Sequence, residues 1–207
     1  MKKLITIAML LLVVIACKKE NNPINKFKEA VGKAKEVKQG LNNIEKMAKG
    51  AEDFEENFER LSELTPITKD QIKTWMPESL GDLNRTAYSI GKQVIANGVD
   101  LTYTGNDEKE VKITIIDGAG GGSPAISMFL MAQNLETDSE NNSGYERTET
   151  FDGQKVLAKY TKPEFNEKAT ILCLINKRFG IEAKGKHMKP EELWAYIKKL
   201  EIEKLIN

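Results

Sequence analysis

The chain has 207 residues, and its 31 lysines and arginines balance 31 aspartates and glutamates. A neutral composition argues against general nucleic-acid binding, which requires a positively charged face. One histidine and two cysteines are present in the whole sequence. These are too few of the usual zinc ligands to suggest a zinc site, so we predict no metal and no cofactor.

The first 16 residues have the pattern of an export signal. Lys2 and Lys3 precede an apolar run from Leu4 to Ala16 that only Thr6 interrupts. This run is shorter than the ~20 helical residues that a transmembrane segment needs. A charged start, a short apolar stretch and a small residue before the cleavage point are typical of a cleaved signal peptide.

The segment Val14-Ile15-Ala16-Cys17 resembles the lipobox of bacterial lipoproteins, in which the cysteine becomes the acylated first residue of the mature protein. The resemblance implies that Cys17 attaches the chain to a membrane of the cell envelope through acyl chains. An aspartate after the cysteine marks inner-membrane retention in enteric lipoproteins, and this chain has Lys18 there. In a host with two membranes, we therefore expect the outer one. Whether the protein faces the periplasm or the cell surface stays open.

With Cys17 acylated, Cys173 is the remaining thiol, and no internal disulfide can form. It lies in the apolar run Ile171 to Ile175. A cysteine in such a run is predicted to be a buried small hydrophobe rather than a reactive thiol.

Residues 17–64 are predicted to be a long amphipathic helical stalk or linker. Apolar or small residues recur from Ile24 to Leu64 in steps of three and four, which is the helix period. Gly32, Gly40 and Gly50 weaken a helix, so one long helix and two broken ones are both compatible with the pattern. Residues 18–50 hold nine lysines against four glutamates. This basic half is either a solvated linker or a segment attracted to anionic lipid.

Residues 65–207 are predicted to form one α+β domain: an antiparallel sheet of about six to seven strands with packed helices. The pattern gives a helix, three strands, a helix, about four strands and a last helix. Thr68 to Gln71 reads as a capping box, and Pro190 begins the final helix. Asn97-Gly98 and Asp152-Gly153 are predicted hairpin turns. The predicted strands cover residues 88–96, 99–103, 111–115, 145–151, 156–160, 169–175 and 179–183.

Several short segments of the domain carry a resemblance to other proteins. They include residues 76–86, 112–118, 144–147 and 178–183. Between Trp75 and Leu205 the chain resembles a group of uncharacterised exported bacterial proteins. The resemblance implies no catalytic residues and no known activity.

The glycine-rich loop is the first candidate ligand site, with Gly118, Gly120, Gly121, Gly122 and Ser123 as candidate contacts. Backbone N–H groups in such a loop, together with a helix N-terminus, favour an anion. The Lys-Ser/Thr ending of a P-loop and the third glycine of a dinucleotide motif are missing. A flexible connection between a strand and a helix explains the same glycines.

Two aromatic residues are candidate partner contacts. Trp75 precedes Met76-Pro77 near the stalk, where it could pack as a hinge or face a partner. Phe165 follows Pro163 in a loop between two strands. The only histidine, His187, lies in a basic turn without a partner nucleophile, so we nominate no catalytic residue.

Three hypotheses remain open from the sequence. The first is a membrane-anchored, non-enzymatic binding or accessory module that contacts an envelope protein. The second is a protein that binds a small anion in the loop from Gly118 to Ser123. The third is an enzyme of a class that lacks histidine. The oligomeric state is left open.

Overall fold

The computed structural model describes residues 55–91, 98–120, 123–134 and 136–205. Cys17, the signal peptide and the stalk up to residue 54 lie outside the described residues. Four α-helices occur in the described part: α1 (residues 55–63), α2 (Lys69–Trp75), α3 (Ser123–Asn134) and α4 (Pro190–Lys198). Short 3-10 helices cover Pro163–Phe165 and Ile202–Leu205.

All strands belong to one antiparallel sheet of nine strands in the order β1-β2-β3-β4-β9-β8-β7-β6-β5. The strands are β1 (Ser79–Leu80), β2 (Leu83–Ile90), β3 (Gly98–Thr104), β4 (Glu110–Asp117), β5 (Asp138–Asn141), β6 (Gly144–Phe151), β7 (Gln154–Thr161), β8 (Lys168–Ile175) and β9 (Phe179–Lys186). The predicted α+β class and the antiparallel sheet are confirmed. The predicted count of six to seven strands was too low.

The sheet consists of two sets of consecutive antiparallel strands that meet in the middle. One set is β1 to β4, and the other is β5 to β9. The two sets join where β4 pairs with β9, from Glu110 opposite Lys186 to Asp117 opposite Phe179. Helix α3 carries the chain from the central strand β4 to the far edge at β5, so it has to cross the sheet.

The first face of the sheet carries the larger core. Helices α2 and α4 and the last 3-10 helix cover it with Ile72, Leu193, Trp194, Ile197 and Ile202. The strand residues beneath them include Leu101, Ile113, Ile171 and Ile181, which are all at most 1% exposed. In β8, Ile171 and Cys173 face this core, whereas Leu172 and Leu174 face the other side, as strand alternation requires.

The second face is covered only in part. Helix α3 contributes Ile126, Phe129 and Leu130 to a smaller core with Leu172 and Leu174 of the sheet. Leu61 of α1 belongs to the same core and is 1% exposed. The last residues of the predicted stalk are therefore packed on the domain. The rest of this face has no described helix over it.

Local sequence signals explain several boundaries. The Thr68 side chain accepts a hydrogen bond from the Gln71 N–H, and the Gln71 side chain accepts one from the Thr68 N–H, so the predicted capping box is confirmed. Asp152 and Gly153 both have positive φ, as a type I′ turn between β6 and β7 requires. Pro190 occupies the first turn of α4, with Glu191 and Glu192 after it.

Other sequence predictions differ from the structure. Strand β2 ends at Ile90 instead of continuing to residue 96, and Gly98 is a strand residue paired with Ile116. The predicted two-residue turn at Asn97-Gly98 was therefore wrong, because Gly98 already belongs to β3. The Gly91 N–H donates to the Gly98 carbonyl at the point where β2 and β3 separate. Residues 92–97 between them lie outside the described residues. Strands β1 and β5 were not predicted. Among the described residues, no helix is long and apolar enough to cross a membrane.

Candidate binding groove

An open groove of about 610 Å³ lies on the second face, beside α3. One wall is α3, and the floor and opposite wall come from strands β7, β8 and β9. The lining residues are Ser127, Met128, Met131, Ala132, Leu157, Lys159, Thr170, Leu172, Glu182 and Lys184. Because α3 covers only part of this face, the strand residues next to it are left accessible.

Helix α3 presents methionines to the groove because it is apolar on more than one side. Ile126 and Phe129 are 1% exposed and pack on the sheet. Met128 and Met131, one helical turn apart, are 53% and 46% exposed. A helix that only packed on the sheet would carry polar residues at these positions. Methionine is flexible and polarizable, so it adapts to different apolar partners.

Gly180 of β9 allows α3 to lie close to the sheet. A Cβ atom at this position would come within 2.4 Å of Cδ2 of Phe129. The Phe129 ring therefore lies directly on the β9 backbone. This contact holds the helix at the height at which Met128 and Met131 form the wall of the groove.

Charged residues at the rim of the groove form ion pairs, one along β9 and one between β6 and β7. The Lys184 ammonium is 2.9 Å from the Glu182 carboxylate, and the Lys159 ammonium is 2.8 Å from the Glu146 carboxylate. Because both ion pairs are exposed, each contributes little stability, and their side chains can form ion pairs with other groups instead. The rim combines charges of both signs around an apolar floor made by Leu157 and Leu172.

The polar surface continues across β4 and β3. A second depression of about 230 Å³ shares Glu182 and Lys184 with the groove. There the Thr114 hydroxyl donates to the Asp100 carboxylate at 2.8 Å. The remaining side chains that line it include Thr102 and Lys112.

Glu110 marks the end of this polar row. Its carboxylate is 2.7 Å from the Lys186 ammonium and 3.3 Å from that of Lys112. The hydrogen bond from Lys186, together with Lys112, lowers the pKa of Glu110 from its usual value. The two lysines therefore favour the ionised form of the Glu110 carboxylate.

The predicted glycine loop is tightly packed at the points where it is described. The N–H groups of Gly118, Ala119 and Gly120 donate to the Arg178 carbonyl, the Asp117 carboxylate and the Leu61 carbonyl. These three amides are thus already hydrogen-bonded within the chain. Gly121 and Gly122 lie outside the described residues, as does the Ser123 side chain, so anion binding by them stays a prediction.

Gly120 also has a structural reason to be glycine. Its φ is +62°, and a Cβ atom would lie 2.5 Å from Cγ of Pro66. The described part of the loop therefore joins β4 to the chain segment that follows α1. It does not line the groove.

Trp75 and Phe165 lie apart from the groove. The Trp75 ring packs partly against the larger core, and its indole N–H donates to the Leu200 carbonyl at 3.0 Å. This arrangement favours the packed hinge over a partner contact. Phe165 lies in the 3-10 helix between β7 and β8 and is 53% exposed, so it meets the condition for a contact residue. Neither residue lines the groove.

Two reactive side-chain types have ordinary surroundings. Cys173 is fully buried and is a core side chain as predicted, and this burial raises the pKa of its thiol to about 12. The exposed His187 imidazole is 3.9 Å from the Glu108 carboxylate. In the described ranges, no three His, Cys, Asp or Glu side chains are arranged so that they could hold a metal ion.

The sequence analysis did not nominate the groove. The signal that could have indicated it is the run of apolar residues from Met128 to Ala132, which is too long for all of its side chains to pack on the sheet. No protein-family model, curated protein or solved structure is significantly similar to this chain. The resemblance to exported bacterial proteins and to lipoproteins therefore stays a prediction from the residues.

Proposed function

We propose that this protein is a lipid-anchored protein of the cell envelope that binds a partner protein without catalysing a reaction. The observation that carries the proposal is the open groove walled by Met128 and Met131. Both side chains are about half exposed, on a helix that buries Ile126 and Phe129 against the sheet. Exposed apolar surface rimmed by polar residues is typical of an interaction site.

The shape of the groove favours a protein over a small molecule. A small-molecule site usually encloses 70–90% or more of its ligand's surface. Here the groove opens onto a polar sheet face with Asp100, Lys112 and Glu182 beside it. An apolar centre with a polar rim is the usual composition of a protein interface. The expected partner segment is thus apolar in its centre and carries charges of both signs at its ends.

The proposed anchor is Cys17. We expect wild-type protein to incorporate a fatty-acid analogue in living cells and to fractionate with membranes, with the outer membrane in a two-membrane host. Cys17→Ser should abolish both. Equal labelling of the two proteins would rule out lipidation at Cys17.

The proposed partner can be identified by crosslinking in living cells, followed by purification of the full lipidated protein. We expect a single protein to co-purify in stoichiometric amount. Met131→Lys places a charge in the groove wall and should reduce that recovery at least about tenfold, which corresponds to about 1.4 kcal/mol. Ala195→Lys, on the exposed side of α4 over the opposite face, is the matched control.

Two outcomes would contradict the proposal. Recovery of the wild-type protein alone would remove the support for a stable partner. Equal recovery of the partner with Met131→Lys and with Ala195→Lys would show that the groove is not the contact.

A further inference from the structure

The outer edge of β2 is covered over only part of its length. Strand β1 pairs Ser79 with Asn84 and Leu80 with Leu83. The last backbone hydrogen bond on this side of β2 is from the Arg85 N–H to the Glu78 carbonyl, at 2.8 Å. Within the described residues, no strand pairs with residues 86–90 on the side away from β3.

Among the described residues, no segment occupies the position next to residues 86–90, because the segment before β1 leaves it at Pro77. The Pro77 carbonyl is turned over the first face, where it accepts hydrogen bonds from the Tyr103 hydroxyl at 3.0 Å and from Arg85 Nη1 at 2.7 Å. These bonds hold the segment before β1 away from the plane of the sheet. They leave room for one more strand beside β2.

The register of β2 shows which backbone groups face that space. The Gly91 N–H donates to the Gly98 carbonyl, so this pair is hydrogen-bonded. Hydrogen-bonded and non-hydrogen-bonded pairs alternate in an antiparallel ladder. Ser89, opposite Asp100, is therefore bonded to β3, and the N–H and C=O groups of Tyr88 and Ile90 point outward.

The free edge has a β-bulge between Arg85 and Ala87, but residues 86–90 lack the charges and prolines that also protect edge strands. Residues 86–90 read Thr-Ala-Tyr-Ser-Ile, with no charge and no proline, and Tyr88 is 51% exposed. The opposite edge differs: β5 has four residues, and Arg147 bonds its Asp138 at 2.9 Å and also pairs with its Glu140. One edge of the sheet is short and charged, whereas residues 86–90 of the other edge are uncharged and have no described strand beside them.

We infer that the free edge of β2 pairs with the same edge of a second copy of this chain, antiparallel and around a two-fold axis at Ser89. In this register the outward groups of Tyr88 meet those of Ile90 in the second copy, and four backbone hydrogen bonds form. Each Tyr88 ring then faces an Ile90 side chain, an aromatic and β-branched pair that is favourable across strands. The inference does not depend on the groove or on its partner.

The second copy is the occupant that this edge fits best. Residues 86–90 carry no charge, so this stretch of β2 can approach its own copy without repulsion between like charges. The Arg85 guanidinium lies 5.7 Å from the Tyr88 ring centroid and is held by the Met76 and Pro77 carbonyls. Identical patches are also what a two-fold interface uses. The residues that meet on the second face are small: Ser89 faces Ser89, and Ala87 faces Gly91 of the second copy.

The register gives a precise test with cysteine variants of the full-length protein in its membrane. Ser89 would form a non-hydrogen-bonded pair with itself, with Cα atoms about 4.5 Å apart, within the range that a disulfide spans. Ser89→Cys should therefore give a disulfide-linked dimer on a non-reducing gel. Ala87→Cys lies two residues away on the same face, where the register pairs it with Gly91 of the second copy. It should give at least about tenfold less disulfide-linked dimer.

A second measurement covers the outward N–H groups. Tyr88→Pro removes an N–H that β3 does not use, and it should halve the mass of the detergent-solubilised protein. Tyr88→Val keeps that N–H and should remain dimeric. Equal crosslinking of Ser89→Cys and Ala87→Cys, no crosslinking of either, or a monomeric wild-type protein would overturn the inference.

Discussion

The Asp117 carboxylate accepts two hydrogen bonds from the Arg178 guanidinium, at 2.7 Å from Nε and 2.9 Å from Nη2. It also accepts the N–H groups of Ile67 and Ala119. The Asp117 side chain is fully buried, and that of Arg178 is 12% exposed. The pair therefore fixes both the segment that follows α1 and the start of the glycine loop to the end of the sheet.

Asp117→Asn should strongly destabilise the domain. The amide nitrogen would face N–H donors, and Arg178 would lose its charged partner. Removing one member of a buried ion pair costs about 3–5 kcal/mol. The free energy of unfolding from urea titration tests this. Glu140→Gln, at the exposed pair with Arg147, is the matched control and should cost less than about 1 kcal/mol. Equal losses in the two variants would contradict the described burial.

Gly180→Ala should lower stability through the Phe129 ring. The added Cβ would lie 2.4 Å from the ring, so α3 or the ring must move. Overpacking of this kind costs about 1–3 kcal/mol. Phe129→Leu should recover part of that loss in the double variant, because the smaller side chain leaves room. A double-mutant cycle with urea unfolding measures this coupling. Strictly additive effects would mean that the two residues do not touch.

Glu110→Gln should lower stability in a pH-dependent way. The pKa of Glu110 is lowered in the folded protein by Lys186 and Lys112. A carboxylate with a lowered pKa stabilises the fold above its unfolded pKa, and this contribution is lost as the pH falls through the folded pKa. We expect the variant to be less stable by up to about 1 kcal/mol at pH 7. The difference should shrink as the pH falls from the unfolded pKa of a glutamate, about 4.3, through the lower folded pKa.

Urea unfolding of the wild-type protein and Glu110→Gln at pH 7, 5 and 3 tests this. A difference that stays constant with pH would show that the substitution acts through packing and not through charge.

The sequence predicted those parts of the fold that depend on neighbouring residues. The capping box of Thr68 and Gln71 and the Asp152-Gly153 turn need only a few consecutive residues, and both predictions are confirmed. Strand β5 was missed because its four residues, Asp-Ser-Glu-Asn, are all exposed and have low strand propensity. It is a strand because it pairs with β6, where Arg147 bonds Asp138.

The candidate site depends on contacts between distant residues, which local patterns do not contain. Asp117 and Arg178 are 61 positions apart in the chain, yet their pairing brings the glycine loop into its packed conformation. The groove exists because α3 crosses from β4 to the far edge of the sheet. That path follows from the pairing of β4 with β9. No periodicity in the sequence predicts this pairing.

The central claim is that the wall formed by Met128 and Met131 contacts a partner protein. The most direct test replaces Met131 with a photo-crosslinking amino acid in the full-length protein in living cells. The same amino acid at Ala195, exposed on α4 over the other face, is the control. We predict an adduct with one protein at position 131 and none at position 195. No adduct at position 131, or the same adduct at both positions, would contradict the claim.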